Sequence, residues 1–224
     1  MSTVMHENKT CAVCGNTHPY SVIASTNAFG SSDLDLRPPE MKRSTMILWV
    51  QECPDCGYVA GSVEDETTVT REFLKRPEYL TCDGRRPDSN LAARFYKHYL
   101  ISLHDEQTRT AFFAVLHAAW ACDDSGDAAN ARAFRLLSLS LLPELIGDDP
   151  EDRDTLRLVK ADVMRRAGLF SQLKEQYAAV RFGEELLDQI LAFELSLAGK
   201  EDAACYTVDD AMAWDRGGGQ DAPR

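Results

Sequence analysis

The sequence predicts a mainly α protein in which a small N-terminal zinc-ribbon-like β module precedes an antiparallel helical-hairpin, tetratricopeptide-like array. Three observations carry that expectation. Two Cys-x-x-Cys-Gly units lie in the first 57 residues, apolar residues recur at helical spacing beyond Asp88, and small residues repeat around Gly126, Gly168 and Gly199. A length of 224 residues fits one large domain or two small ones. The segments read as residues 1–61 for the ribbon with a long inserted loop, 62–88 for a connector, 89–215 for the helices and 216–224 for a disordered tail.

In the first segment, Tyr20 to Ala24 and Thr45 to Gln51 are rich in β-branched and aromatic residues and read as strands. Between them, Asn27 to Ser44 carries Gly30, Ser31-Ser32 and Pro38-Pro39, which break both periodicities, so a long loop is expected to hang from the cysteine site. In the connector, a short helix is expected around Thr70 to Lys75, interrupted by Pro77. From Leu91 onward, Phe95, Tyr99 and Ser102 keep helical spacing behind Ser89, a residue suited to capping.

The three glycines each follow an alanine by seven residues (Ala119, Ala161, Ala192) and precede a small or aliphatic residue by five (Ala131, Leu173, Ala204). That is the layout of paired helices that approach closely, with glycine closing the first in the left-handed conformation. The second copy is the clearest, with Phe170 and Tyr177 following its glycine. The first places Arg135 where an aromatic is expected, and the glycines are unequally spaced, which leaves other helical hairpins open. The terminal stretch from Gly217 lacks side chains to bury.

The chemical signal is the pair Cys11-Ala12-Val13-Cys14-Gly15 and Cys53-Pro54-Asp55-Cys56-Gly57. Two cysteines two residues apart can aim both sulfurs at one ion from a tight turn, and the following glycine permits the positive φ that such a turn needs. Two turns supply four thiolates, Cys11, Cys14, Cys53 and Cys56, for one structural zinc ion per chain. Four sulfurs close a tetrahedral centre and leave no position for water or substrate. Rubredoxin-like iron is the main competing metal, and a pair of redox dithiols the main alternative to a metal. The 38 residues between the two turns exceed the ~15–20 usual for a ribbon, and the long loop accounts for the excess. A β region this small has too little core to fold alone, so metal binding and folding are expected to be coupled.

Other reactive side chains read as bland. His18 lies near the first turn but is taken as a surface or supporting residue, and His98, His104 and His117 lack metal-ligand spacing. Cys82, Cys122 and Cys205 are isolated in sequence and read as ordinary thiols, with exposure and reactivity of Cys82 in Thr81-Cys82-Asp83-Gly84 the alternative. Asp33 and Asp35 read as solvated or paired with Arg37, and the acidic stretch from Asp148 to Asp154 as helix capping. The net charge of −12 disfavours general affinity for a phosphate backbone. Residues 71–97 are locally basic, with seven cations against four anions among aromatics, but a solvated connector explains them better than a nucleic-acid patch. No membrane-spanning run, export signal, phosphate loop or nucleophile elbow is found, so the reading is cytoplasmic, and no catalytic constellation supports an enzyme.

The chain resembles a bacterial family, the domain of unknown function numbered twenty-two twenty-five. The resemblance rests on the first cysteine unit, the loop Ser32-Asp33-Leu34-Asp35, the second unit with its continuation Tyr58-Val59-Ala60, and Ala118-Ala119-Trp120 before Gly126, and it spans Cys11 to Ala211. It implies a cysteine-knuckle ribbon followed by tetratricopeptide-like helices, and implies no particular activity. The expected function is a metal-stabilised adaptor that binds a peptide or protein on its helical surface. A redox-responsive zinc protein with chaperone-like client binding, and a nucleic-acid factor built on residues 71–97, are the alternatives.

Overall fold

The computed structural model describes residues 2–148 and 152–216. The described chain is mainly helical, with two small antiparallel sheets near its start. It forms two compact units. One comprises the chain up to Ala28 together with Glu40–Phe134, and the other Phe29–Pro39 with the chain from Arg135 onward. This partition cuts across the segments read from the sequence, because the first two long helices join the cysteine turns and the tip of the long loop joins the later helices.

In the first unit, β1 (Thr3–Thr10) pairs antiparallel with β2 (Thr17–Ser25), and β3 (Gln51–Glu52) pairs with β4 (Val59–Ala60). The strand expected over Tyr20 to Ala24 is therefore present, while β1 was not foreseen. The strand expected over Thr45 to Gln51 is instead a 3-10 turn over Arg43–Leu48, with only Gln51 continuing into β3. Local bonds outweigh β propensity here. The Thr45 hydroxyl donates to the Lys42 carbonyl at 2.7 Å and accepts the Trp49 indole N–H at 2.9 Å, which winds the backbone.

The connector is packed rather than solvated, with Val63, Val69, Leu74, Tyr79 and Cys82 buried. Its expected helix is reduced to a 3-10 turn over Phe73–Lys75, and Pro77 begins α1 (Pro77–Leu80) instead of interrupting a helix. Proline fits a first helical position because no intrahelical partner is needed there. Helix α2 (Asn90–His104) starts where expected, with the Ser89 hydroxyl accepting the Ala92 N–H. It packs against α3 (Thr108–Ser125) and β4. Phe95, Trp49 and Trp120 crowd the His117 ring at centroid distances of 4.7–5.2 Å, and Tyr96 stacks on Phe134 at 5.0 Å.

Helix α4 (Ala128–Asp148) contains Pro143 and runs across the boundary between the units. In the second unit, α5 (Arg153–Arg166), α6 (Phe170–Tyr177), α7 (Glu185–Gly199) and α8 (Val208–Arg216) pack consecutively, with α7 touching the other three. Gly126 and Gly168 adopt the expected left-handed conformation, at φ 76° and 74°. The third copy does not follow. Gly199 is the last residue of α7 without a positive φ, Glu201 takes the left-handed position at φ 54°, and Ala192 and Ala204 are exposed. The tail expected to be disordered lies, beyond Arg216, outside the described residues, as does the middle of the acidic stretch from Asp148 to Asp154.

Segment Phe29–Pro39 corrects the picture of a solvated loop hanging from the cysteine turns. Its neighbours Ala28 and Met41 form an isolated bridge, and the segment itself belongs to the second unit as a strap bent by a turn between Asp33 and Leu36. Leu34 N–H donates to the Tyr206 carbonyl at 3.0 Å, Val208 N–H to the Ser32 carbonyl at 3.0 Å, and Leu34 joins the apolar core of α5, α6 and α7. Asp33 and Asp35 are buried. Asp35 lies 2.9 Å from the Arg166 guanidinium and 4.0 Å from that of Arg135, and Asp33 accepts the Cys205 thiol at 3.1 Å.

Candidate metal centre

Both cysteine turns are built alike. Cys11 N–H donates to the Asn16 carbonyl and Gly15 N–H to the Cys11 carbonyl, both at 2.9 Å. The second turn repeats these bonds from Cys53 to Tyr58 and from Gly57 to Cys53, at 2.8 and 2.9 Å. Gly15 and Gly57 have φ of 78° and 74°, the left-handed conformation their position demands. Each turn is closed by a strand pair in the same register, Thr10 opposite Thr17 and Glu52 opposite Val59.

The four sulfurs meet within 4.8 Å of one another. Cys11 Sγ lies 3.7 Å from Cys56 Sγ, and Cys14 Sγ lies 3.6 Å from Cys53 Sγ. A tetrahedron with metal–sulfur bonds of about 2.3 Å has edges of about 3.8 Å. The sulfur set therefore fits one tetrahedrally bound ion, and none of these cysteines is in a disulfide. Among the described residues, this is the group of cysteine, histidine and carboxylate ligands placed to hold a metal.

Each turn contributes an inner and an outer sulfur. Cys11 and Cys53 are 2% and 1% exposed, whereas Cys14 and Cys56 are only partly covered. Cys11 Sγ accepts the backbone N–H groups of Val13 and Cys14. Cys14 Sγ accepts that of Asn16 and Cys56 Sγ that of Tyr58. Burial pushes the free thiols of Cys11 and Cys56 up. Burial also acts to raise Cys14, but the Asn16 N–H and the neighbouring sulfurs outweigh it and leave that thiol lowered. A bound cation would favour the thiolate at all four.

The surroundings brace the turns. Ala12 N–H donates to the Val63 carbonyl at 2.9 Å, the Tyr79 hydroxyl to the Gly57 carbonyl at 2.6 Å, and Arg71 to the Cys14 carbonyl at 3.1 Å. From α2, Arg94 donates to the Val50 carbonyl and Lys97 to Glu52 at 3.1 Å, tying the second turn to the helix. The Tyr20 hydroxyl donates to the Glu52 carbonyl at 3.4 Å, and its phenol is pushed up to about 12 by burial and by the charge of the nearby cysteines. The sequence reading missed Arg71, Tyr79, Arg94 and Lys97 as supports, since nothing in their spacing connects them to the cysteines. These contacts also employ several of the cations in the locally basic stretch.

The remaining candidates are dispersed. His18 Nε2 lies 2.6 Å from Asp55 Oδ2, which also accepts Asn16, and this bonding holds the Asp55 carboxyl below its usual range. His18 thus supports the second turn as a neighbour rather than as a ligand. Cys82 is buried, as suits an ordinary thiol rather than an exposed reactive one, and its thiol donates to the Ala93 carbonyl at 3.8 Å. Cys205 is an exposed residue, but its thiol is pushed up to about 12, because desolvation of the sulfur and the neighbouring Asp33 outweigh the opposing charge of Arg166. Among the described residues no helix is long and apolar enough to cross a membrane.

No family model, curated protein or solved structure matches the chain.

Proposed function

We propose that the protein is a zinc-stabilised, non-catalytic interaction module of the family it resembles, with Cys11, Cys14, Cys53 and Cys56 holding one structural zinc ion and the helices presenting a surface to a peptide or protein. The closed four-sulfur tetrahedron carries this reading. All its corners are protein ligands, so an ion there organises the fold and keeps no open position for chemistry. Zinc suits the site because it accepts four thiolates without geometric strain, and the seven cysteines free of disulfides suit a reducing cytoplasm.

The strap supports the role given to the helices. Ser32 to Leu34 runs beside Tyr206 to Val208 with two backbone bonds, so the second unit already holds a short segment by a β-bridge and one inserted leucine. Leu186 of α7 and Met212 of α8 leave apolar side chains in solvent. Partner capture with the metal-loaded protein, beside a Leu186→Ser, Met212→Ser variant, tests the role. Specific capture that the variant loses supports it, and capture by both proteins alike contradicts an apolar site on α7 and α8.

A further inference from the structure

The division of the four sulfurs into inner and outer pairs has a chemical consequence. Cys14 and Cys56, one from each turn, line a cleft of 230 Å³ together with Asn16, Asp55, Arg71 and Lys75, whereas Cys11 and Cys53 are buried and do not line it. The two outer sulfurs are thus the more accessible, and they lie within 4.8 Å of each other. Two cations, Arg71 and Lys75, line the same cleft.

We infer that the centre is a peroxide-sensitive redox site in which Cys14 and Cys56 are oxidised to a disulfide and the bound ion is released. The inference rests on the metal reading given above. In the first step the Cys14 thiolate attacks one oxygen of hydrogen peroxide. An S–O bond forms, the O–O bond breaks, and the departing hydroxide takes a proton from solvent to become water. The Cys56 thiolate then attacks the Cys14 sulfur. An S–S bond forms, the S–O bond breaks, and a second hydroxide is protonated to water. Two thiolates give up two electrons, peroxide takes both, and solvent supplies two protons. Cys11 and Cys53 remain as the only thiolate ligands, too few to retain the ion. The disulfide then joins the two turns directly, in place of the metal.

The test uses full-length, reduced protein whose metal content is first measured. Limiting hydrogen peroxide is added in the presence of a colorimetric metal indicator, and cysteine oxidation is mapped by peptide mass spectrometry. The expected result is metal release that tracks formation of the Cys14–Cys56 disulfide one for one, reversed by a dithiol reductant and resupplied metal. Earlier oxidation of Cys82, Cys122 or Cys205 with the metal retained overturns the inference, as does release accompanied by a different disulfide. Protein that holds no metal before oxidant is added overturns the metal reading itself, and this inference with it.

Discussion

At the scale of single residues, the most informative positions are charged or polar groups that the fold takes out of water. His98 on α2 faces desolvation without a compensating anion close enough to offset it, and its imidazole is pushed down to about 4. The unfolded chain binds that proton near the ordinary histidine value, so between roughly pH 6.5 and 4 the unfolded state holds more protons and stability falls as pH falls. Relative to wild type, a His98→Gln variant is expected to lose this part of the acid dependence, worth at most about 3 kcal/mol. Urea midpoints of both proteins across that range check it; equal slopes would contradict a buried neutral imidazole. Arg165 shows the opposite solution. It is fully buried, and its guanidinium donates to Glu194 and Asp162 at 2.6 Å and to the carbonyls of Asp202 and Ala204 at 2.8 Å. Apart from the i,i+3 partner Asp162, such pairs lie beyond local sequence reading. Asp35 and Arg166 are 131 positions apart, and nothing in Asp33-Leu34-Asp35-Leu36 says that three of its residues will be buried and the fourth turned out at φ 70°. One trace was visible, because Arg135 broke the aromatic pattern of its repeat, and the structure places it buried, 4.0 Å from Asp35.

At the scale of elements, legibility depended on whether the deciding forces were local. The cysteine turns, the Ser89 cap and the ends of α3 and α5 are set within a few residues, and each formed where the sequence placed it. The segment Thr45 to Gln51 misled because its β-branched and apolar composition fits a strand, while the hydroxyl of Thr45 serves a turn. The glycine repeat divides in the same way. Gly126 and Gly168 need left-handed backbone and Gly199 does not. Alanine at 126 or 168 is expected to destabilise by about 1 kcal/mol, and Gly199→Ala to be neutral or mildly stabilising because it strengthens the end of a helix. Thermal denaturation of the three variants tests this. Equal losses at all three positions would restore the third copy that the structure denies.

At the scale of the whole molecule, the metal centre and the strap belong to different compact units, so removing the ion should act unevenly. β3 and β4 are two residues each, and β1 and β2 form a lone, mostly exposed two-stranded hairpin, both closed by the cysteine turns, whereas α5, α6 and α7 share an apolar core of their own with Leu34. After chelation under reducing conditions, amide exchange is expected to accelerate across Thr3–Ser25 and Gln51–Ala60 while α5 and α7 keep their protection. Uniform loss of protection in both units would show that the centre supports the entire chain.

The central claim is that four cysteines from two like-built turns form one closed metal site, and the most direct measurement is the metal-to-protein ratio of anaerobically purified protein by elemental mass spectrometry, beside a Cys53→Ser, Cys56→Ser variant. The account predicts about one zinc per chain in the wild type and its loss in the variant. Iron in place of zinc would keep the site and change its ion, while metal-free wild-type protein, or a variant that retains its metal, would contradict the four-sulfur centre.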